Sequence, residues 1–251
     1  MESYVKNTIK DKVAQIEFFS SASNSLGSEA LEQLREMIKT CASDVNVQVI
    51  HLKSAGEKVF CAGASFDELL AIKELDEAKR FFMGFAKVIN EIRRCGKIVL
   101  TTVQGKAVGG GVGIAAASDY VFATESAAVK LSELSIGIGP FVIEPAITRK
   151  IGLSNMTSLA LNANQWKSAT WAQTSGLFHE VEADLDQLNQ KSDALLKQLV
   201  SYHPQALAEM KKAMWQNTDH WDILLEERAA ISGELVLSEA TIEALTQFKR
   251  K

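Results

Sequence analysis

Two short segments of small residues and one carboxylate carry the chemistry this chain can do. Gly109-Gly110-Gly111-Val112-Gly113 follows an apolar run and opens an alanine-rich stretch. Cys61-Ala62-Gly63-Ala64-Ser65-Phe66-Asp67-Glu68-Leu69 is a similar turn earlier in the chain. Small residues at a helix N-terminus let peptide N–H groups approach a ligand oxygen closely, and the helix dipole adds to their pull. Two such loops can each give one N–H to the same carbonyl oxygen, stabilising an enolate-like oxyanion of the kind acyl thioesters form. Glu133, flanked by Leu131 and Leu134, completes the set as a general acid/base whose pKa partial desolvation would raise.

The same residues admit other readings. Gly111, Gly113 and Ala116 fit the dinucleotide pattern G-x-G-x-x-(G/A), but they lie mid-chain, and no acidic residue ends a second strand about 20 residues on. A phosphate-binding P-loop needs a following Gly-Lys-Ser/Thr, which is missing. Close helix–strand packing accounts for some of the glycines in every case. Cys61 has no His nearby in sequence and reads as a small buried hydrophobe. His51, in a strand pattern, and His179, in a turn, read as structural, and His203 and His220 as surface residues. Phe66, Phe141 and Phe248 read as core or interface, with pocket lining as the alternative. No spacing of His, Cys and carboxylates suggests a metal site.

The elements that must position these loops follow from periodicity. Ala14, Ile16 and Phe18 alternate with polar neighbours as a half-buried strand. Val47 to Leu52, Ile98 to Val103 and Tyr120 to Ala123 read as buried strands. Ser28 is the expected N-cap of a helix with Leu31, Leu34, Ile38 and Cys41 on its inner face. Leu75 to Arg94 reads as a long amphipathic helix that buries Phe81, Phe85, Val88 and Ile92 and stops at Gly96. Strands alternating with helices predict an α/β domain with mainly parallel pairing, followed by a largely helical C-terminal third.

The 251 residues include 27 Lys and Arg against 31 Asp and Glu, for a formal net charge of −4, and 47% are hydrophobic. That composition excludes a disordered chain and disfavours generic nucleic-acid binding. The three cysteines, Cys41, Cys61 and Cys95, form no CxxC pair. A reducing, cytoplasmic compartment is therefore expected. No run approaches the roughly 18 apolar residues of a membrane span.

Asn24-Ser25-Leu26, KVFCAGASFDEL (58–69), VQGKAVGGGVGIAAASDYVFA (103–123), LSELSIGIGP (131–140), TRKIG (148–152) and SGLFHEV (175–181) come in the order and spacing of one family. The chain resembles the crotonase superfamily of enoyl-CoA hydratases and isomerases. The resemblance implies a crotonase-like spiral of ββα units over residues 1–195 and a C-terminal helical trimerisation region over 196–251. It further implies a homotrimer or dimer of trimers and an acyl-CoA thioester substrate. No separate cofactor, nucleic acid or membrane is expected. It assigns catalysis to Glu133 and to the peptide N–H groups of Ala64 and Gly110. Substrate contact falls to Ala62, Gly63, Ser65, Phe66, Asp67, Val108, Gly111 and Lys58.

Two departures stand out. A typical hydratase has a glutamate at the position of Gly113. With Glu133 alone, a proton shuttle between two carbons, as in a Δ3,Δ2-enoyl-CoA isomerase, becomes the more natural chemistry. The usual loop also carries an Asp and a Lys where this chain has Ser65 and Asp67, so Lys58 and Lys106 are the nearby cations left for CoA phosphates. A finer resemblance, to the methylglutaconyl-CoA hydratase branch, keeps hydration open. Its second group would be sought among Glu144, Asp67 and Glu68, each of which reads first as solvated or structural. The expected activity is thus that of an enoyl-CoA hydratase/isomerase, with an isomerase or a non-catalytic acyl-CoA-binding protein as alternatives.

Overall fold

The computed structural model describes residues 3–249, with Phe248 and Lys249 as backbone only. It opens with a hairpin. β1 (Tyr4–Lys10) and β2 (Val13–Phe19) pair antiparallel across Asp11 and Lys12, both at positive φ (50° and 64°). Such a turn matches the twist of the strands it joins. Ala14, Ile16 and Phe18 are fully buried, as their alternation predicts. After α1 (Ser28–Ser43) the chain repeats one theme. β3 (Val49–Ser54) lies in a large sheet and β4 (Val59–Cys61) in a small one, followed by α2 (Phe66–Ala71) and α3 (Leu75–Arg94). β5 (Ile98–Val103) and β6 (Lys106–Val108) repeat the split before α4 (Gly110–Ala117). β7 (Tyr120–Thr124) and β8 (Ala128–Lys130) repeat it again before a 3-10 turn (Glu133–Ile136) and α5 (Glu144–Leu161).

β9 (Lys167–Ser168) closes the small sheet, and α6 (Ala169–Thr174) leads to β10 (Glu180–Glu182), which closes the large one. The sheet orders are β1-β2-β3-β5-β7-β10 and β4-β6-β8-β9. Among the described residues, only β1 and β9 run antiparallel to the strands beside them. Each ββα turn thus adds one strand to each sheet, which makes the path a spiral. β5 is buried at all six residues, the mark of a strand covered on both faces. α3 has the predicted span and inner face and ends before Gly96, which sits at φ 69°.

The N-terminus of α1 departs from expectation. Gly27, not Ser28, is the N-cap, and Ser28 is the first helical residue. The cap comes from across the fold: the Glu68 carboxylate accepts from the Ser28 N–H (2.9 Å) and from its hydroxyl (2.6 Å). A carboxylate at that end also answers the helix dipole.

The C-terminal helices are α7 (Leu185–Ser201), α8 (Pro204–Met214), α9 (Trp221–Val236) and α10 (Glu239–Lys249). Residue 195, where the sequence suggests a boundary, lies inside α7. α9 runs along α3, and its Trp221, Leu225 and Ala229 join the same core as the strands. α8 is tied down by Lys211, only 1% exposed, whose ammonium donates to Asp119 (2.8 Å) and to the Lys97 carbonyl (2.7 Å). The Asp119 carboxylate also accepts from the Val99 N–H (2.7 Å) and the Trp215 indole (2.8 Å). Among the described residues no helix is long and apolar enough to cross a membrane.

A buried ion pair broken on one side leaves an uncompensated charge, which typically costs about 3–5 kcal/mol. Lys211→Met is expected to lose about 3 kcal/mol in a urea melt, the lower end of that range, because two other donors still serve Asp119.

Candidate active site

Three loops leaving the small sheet meet at one cavity of about 510 Å³. The first is held by Asn24, which is buried although it adopts φ 55°. Its amide donates to the carbonyls of Ala55 (2.8 Å) and Val59 (2.9 Å), while its oxygen accepts from the Ser20 N–H (3.0 Å). Next to it, Leu26 forms a one-residue parallel bridge with Ala64. The Leu26 N–H donates to the Gly63 carbonyl (2.8 Å), and the Ser65 N–H donates to the Leu26 carbonyl (3.1 Å). Both bonds flank Ala64, so its own N–H points away from Leu26.

The second loop leaves β6. Gly109 donates its N–H to the Lys130 carbonyl (3.0 Å), and Gly110 starts α4. The Gly110 N–H belongs to the first turn of a helix, which has no intrahelical partner for it. The two loops abut: a methyl group built on Gly63 would lie 3.8 Å from the Gly110 nitrogen.

The third loop leaves β8 and carries Glu133. Its carboxylate presses on Gly109, where a methyl would come within 2.8 Å of Oε1, and Gly109 sits at φ 51°. Both facts demand glycine there. Glu133 Oε2 is buried and has no hydrogen-bond partner. Burial pushes the carboxyl up to about 7, only partly offset by a bond from its own backbone N–H. The surrounding wall is apolar, formed by Phe81, Phe82, Phe85, Ile136, Phe141 and Ile143. Asp67 is the other acid on the cavity wall among the described residues, and it is solvent-exposed.

Gly113, the place of a hydratase's first glutamate in the sequence comparison above, faces a filled space. A methyl there would lie 2.5 Å from Ile143 Cγ2 and 3.5 Å from Ile89 Cδ1. A methyl on Gly111 would lie 2.7 Å from Cys61 Cβ. All of α4 is buried. The dinucleotide reading of these glycines therefore fails: they admit neighbouring side chains, not a pyrophosphate.

Of the residues expected at the site, Ala62, Gly63, Ala64, Ser65, Phe66, Asp67, Val108, Gly110 and Glu133 share the cavity wall. Gly111 does not, because it packs on Cys61, nor does Lys58, whose position is exposed outside it. Ser65 also caps α2, accepting from the Glu68 N–H (3.3 Å). Glu68 is occupied at α1, and Glu144 accepts from the Thr148 hydroxyl (2.6 Å), so neither reaches the cavity. Phe141 lines the cavity, while the Phe248 side chain lies outside the described residues. Burial pushes the Cys61 thiol up to about 12, which leaves it inert. His51 bonds Thr102 (3.1 Å), and His179 accepts from the Val121 N–H (3.0 Å) while stacking on Tyr120. Sequence reasoning missed Lys130 and Trp166 and took Phe81 and Phe85 for core.

The enoyl-CoA hydratase/isomerase family model matches residues 8–248. The chain belongs to this family. A short-chain-enoyl-CoA hydratase of Clostridium acetobutylicum is 28% identical over 232 residues, 92% of this chain and 88% of that protein. The mitochondrial 3-hydroxyisobutyryl-CoA hydrolase of Gallus gallus is 30% identical over 203 residues, 75% of this chain and 52% of that protein. The crystal structure of an enoyl-CoA hydratase from Bacillus halodurans superposes with a TM-score of 0.91 at 21% identity, covering 98% of this chain and all of that one (100%). The spiral is thus the crotonase fold of the enoyl-CoA hydratase/isomerase family. Hydratases and a hydrolase both occur among these relatives, so the reaction has to be read from the site.

Glu133 links the site to stability. Its carboxyl titrates near 4.5 when unfolded and about 7 when folded. The folded state therefore holds the proton more tightly, and the stabilisation is full below pH 4.5 and lost as the pH rises through 7. The neutral Glu133→Gln should gain stability over the parent as the pH rises, reaching about 3 kcal/mol at pH 8. Urea melts of both proteins at pH 4 and pH 8 would measure it.

Proposed function

We propose that this member of the family is a Δ3,Δ2-enoyl-CoA isomerase with Glu133 as its single acid/base. The thioester carbonyl oxygen accepts from the Ala64 and Gly110 N–H groups. Glu133 takes a proton from C2 of a 3-enoyl thioester. The C–H pair forms C1=C2 as the carbonyl pair moves onto oxygen, giving a dienolate whose charge is shared by the oxygen, C2 and C4. Glu133 then returns the proton at C4, leaving the 2-enoyl thioester and a regenerated carboxylate. On that protonation the carbonyl re-forms, the C1=C2 pair becomes C2=C3, and the old C3=C4 pair makes the new C–H bond. Each oxyanion donor of this kind is worth about 2.7–4 kcal/mol of barrier. A base poised near neutrality is suited both to take and to return the proton.

The observation that carries this reading is Ile143 filling the space in front of Gly113. Hydration needs a water held and polarised beside C3, most simply by a second carboxylate. Here that side of the chamber is aliphatic, which suits a proton moving between two carbons with water kept out. Assembly into a homotrimer or dimer of trimers belongs to the same proposal.

The assay is a panel of 3-enoyl-CoA, crotonyl-CoA and 3-methylglutaconyl-CoA. The 3-enoyl ester should isomerise, with kcat/KM rising with pH to a plateau above about 7, because the deprotonated Glu133 is the active form. Glu133→Gln should lower kcat by about 10²–10⁴. Hydration of either 2-enoyl ester with kcat/KM equal to or above that for isomerisation would overturn the isomerase reading, and binding without turnover would make the chain a non-catalytic acyl-CoA binder. A second prediction concerns Ile143. Gly113→Glu alone should destabilise the fold by about 1–3 kcal/mol through overpacking. Combined with Ile143→Ala it should fold better and add crotonyl-CoA hydration, read by loss of the enoyl absorbance.

A further inference from the structure

We infer that Thr241 of α10 is a positioning residue for Glu133: its hydroxyl clamps the turn that keeps the carboxyl inside the cavity. The inference rests on Glu133 being the acid/base of that cavity.

Glu133 opens a 3-10 turn, Glu133–Ile136, in which no residue is buried as a whole and Leu134 is 45% exposed. The turn therefore has little apolar anchorage of its own. Yet it must hold a carboxyl whose Oε2 is inaccessible and unbonded. It closes on Gly137, at φ 85°. The N–H groups of Gly137 and Ile138 donate back to the carbonyls of Leu134 (3.3 Å) and Glu133 (3.1 Å). Thr241 braces that closure from another element. Its hydroxyl donates to the Gly137 carbonyl (2.9 Å), and a methyl built on Gly137 would clash with Thr241 Oγ1 and lie 2.9 Å from its Cα. A hydrogen bond and a close backbone contact thus hold the same residue. Thr241 is itself fixed. It is 1% exposed, and its N–H donates to Ser238 Oγ (3.4 Å), a capping bond in the first turn of α10. One turn on, Leu245 packs with Leu69, Phe81, Ile138 and Val236. Leu69, Phe81 and Ile138 also line the cavity, so α10 braces the turn and part of the cavity wall together.

No charge replaces this brace. Among the described residues the other charged groups on the cavity wall are Asp67 of α2 and Lys130 of β8. Burial, offset by the Glu133 backbone N–H, accounts for the raised titration with no share from either. On α5, which packs against the turn, Glu144 accepts from Thr148 and lies 3.9 Å from Arg228. On α10, Glu239 and Glu243 are exposed. A buried carboxyl with no counter-charge gains by turning toward water. Keeping it dry is then a matter of where its backbone is held, which is what the Thr241 hydroxyl controls.

Two measurements test the clamp: the pH profile of 3-enoyl-CoA isomerisation, and infrared titration of the Glu133 carboxyl. The infrared band is isolated as the difference between each protein and its Glu133→Gln counterpart, and it needs no turnover. Thr241→Val keeps the shape of the side chain and removes the donor. It should lower kcat about tenfold with KM unchanged, the scale of one lost hydrogen bond. The loosened turn lets water reach the carboxyl, so the Glu133 midpoint should fall from about 7 toward 4.5, in the infrared titration and in the acid limb of the profile alike. Thr241→Ser should restore both, and Thr246→Val, exposed on the same helix, should match the parent. Where Thr241→Val does not fold, Ser238→Ala, a milder disturbance of the same cap, should move the midpoint in the same direction. An unmoved midpoint and kcat in the folded variant, whatever its melting temperature, would leave Thr241 a structural residue and overturn the inference alone. A parent that shows the raised midpoint but turns over no enoyl thioester would overturn the acid/base reading, and the positioning role with it.

Discussion

An ionisable carboxyl held in apolar surroundings, with one oxygen unbonded, is the constraint on which this site depends. Glu133 Oε2 has no partner, and burial alone lifts the group to about 7. Left to relax, such a carboxyl would turn toward water or a cation, so its backbone has to be held. The Gly109 N–H on the Lys130 carbonyl ties its loop to the neighbouring one, and the Ile138 N–H donates back to the Glu133 carbonyl (3.1 Å). Gly137 follows at φ 85°, and the Thr241 hydroxyl of α10 donates to its carbonyl (2.9 Å). The same glycine, Gly109, makes room for the carboxylate and turns the chain so that α4 can begin.

What was legible in the sequence follows from how local each cause is. α3 could be read to the residue, because twenty residues of one amphipathic period repeat the same information. β5 and β7 announced themselves as apolar runs. β1 did not, because an edge strand with four of its seven residues exposed carries no apolar signal. The strands of the small sheet are two or three residues long, below the reach of any periodicity. The Ser28 cap was misread because the true capping group, Glu68, lies 40 residues away. The site divides in the same way. Its loops and Glu133 were visible as motifs, whereas Ile143 before Gly113 and Lys130 beside Trp166 arise only from tertiary packing.

The C-terminal helices show how strongly that packing can act on polar groups. Lys211 and Asp119 are both nearly inaccessible, yet every charge in the pair has several partners. Arg93 repeats the device, donating to the Thr218 carbonyl (3.0 Å) and to Asp222 (3.0 Å). Replacing such pairs with apolar residues is often neutral in energy, so their use here argues for register: they fix where α8 and α9 dock on the core.

The small sheet has a consequence of its own. Strands of two and three residues cannot persist alone in water. β4, β6 and β8 exist because each is the continuation of a strand in the large sheet, one turn earlier in the same unit. The loops that meet at Glu133 therefore have no independent thermodynamic existence. Amide protons across the small sheet should exchange only with the opening of the whole spiral, and heat should extinguish the site and the fold in a single cooperative event.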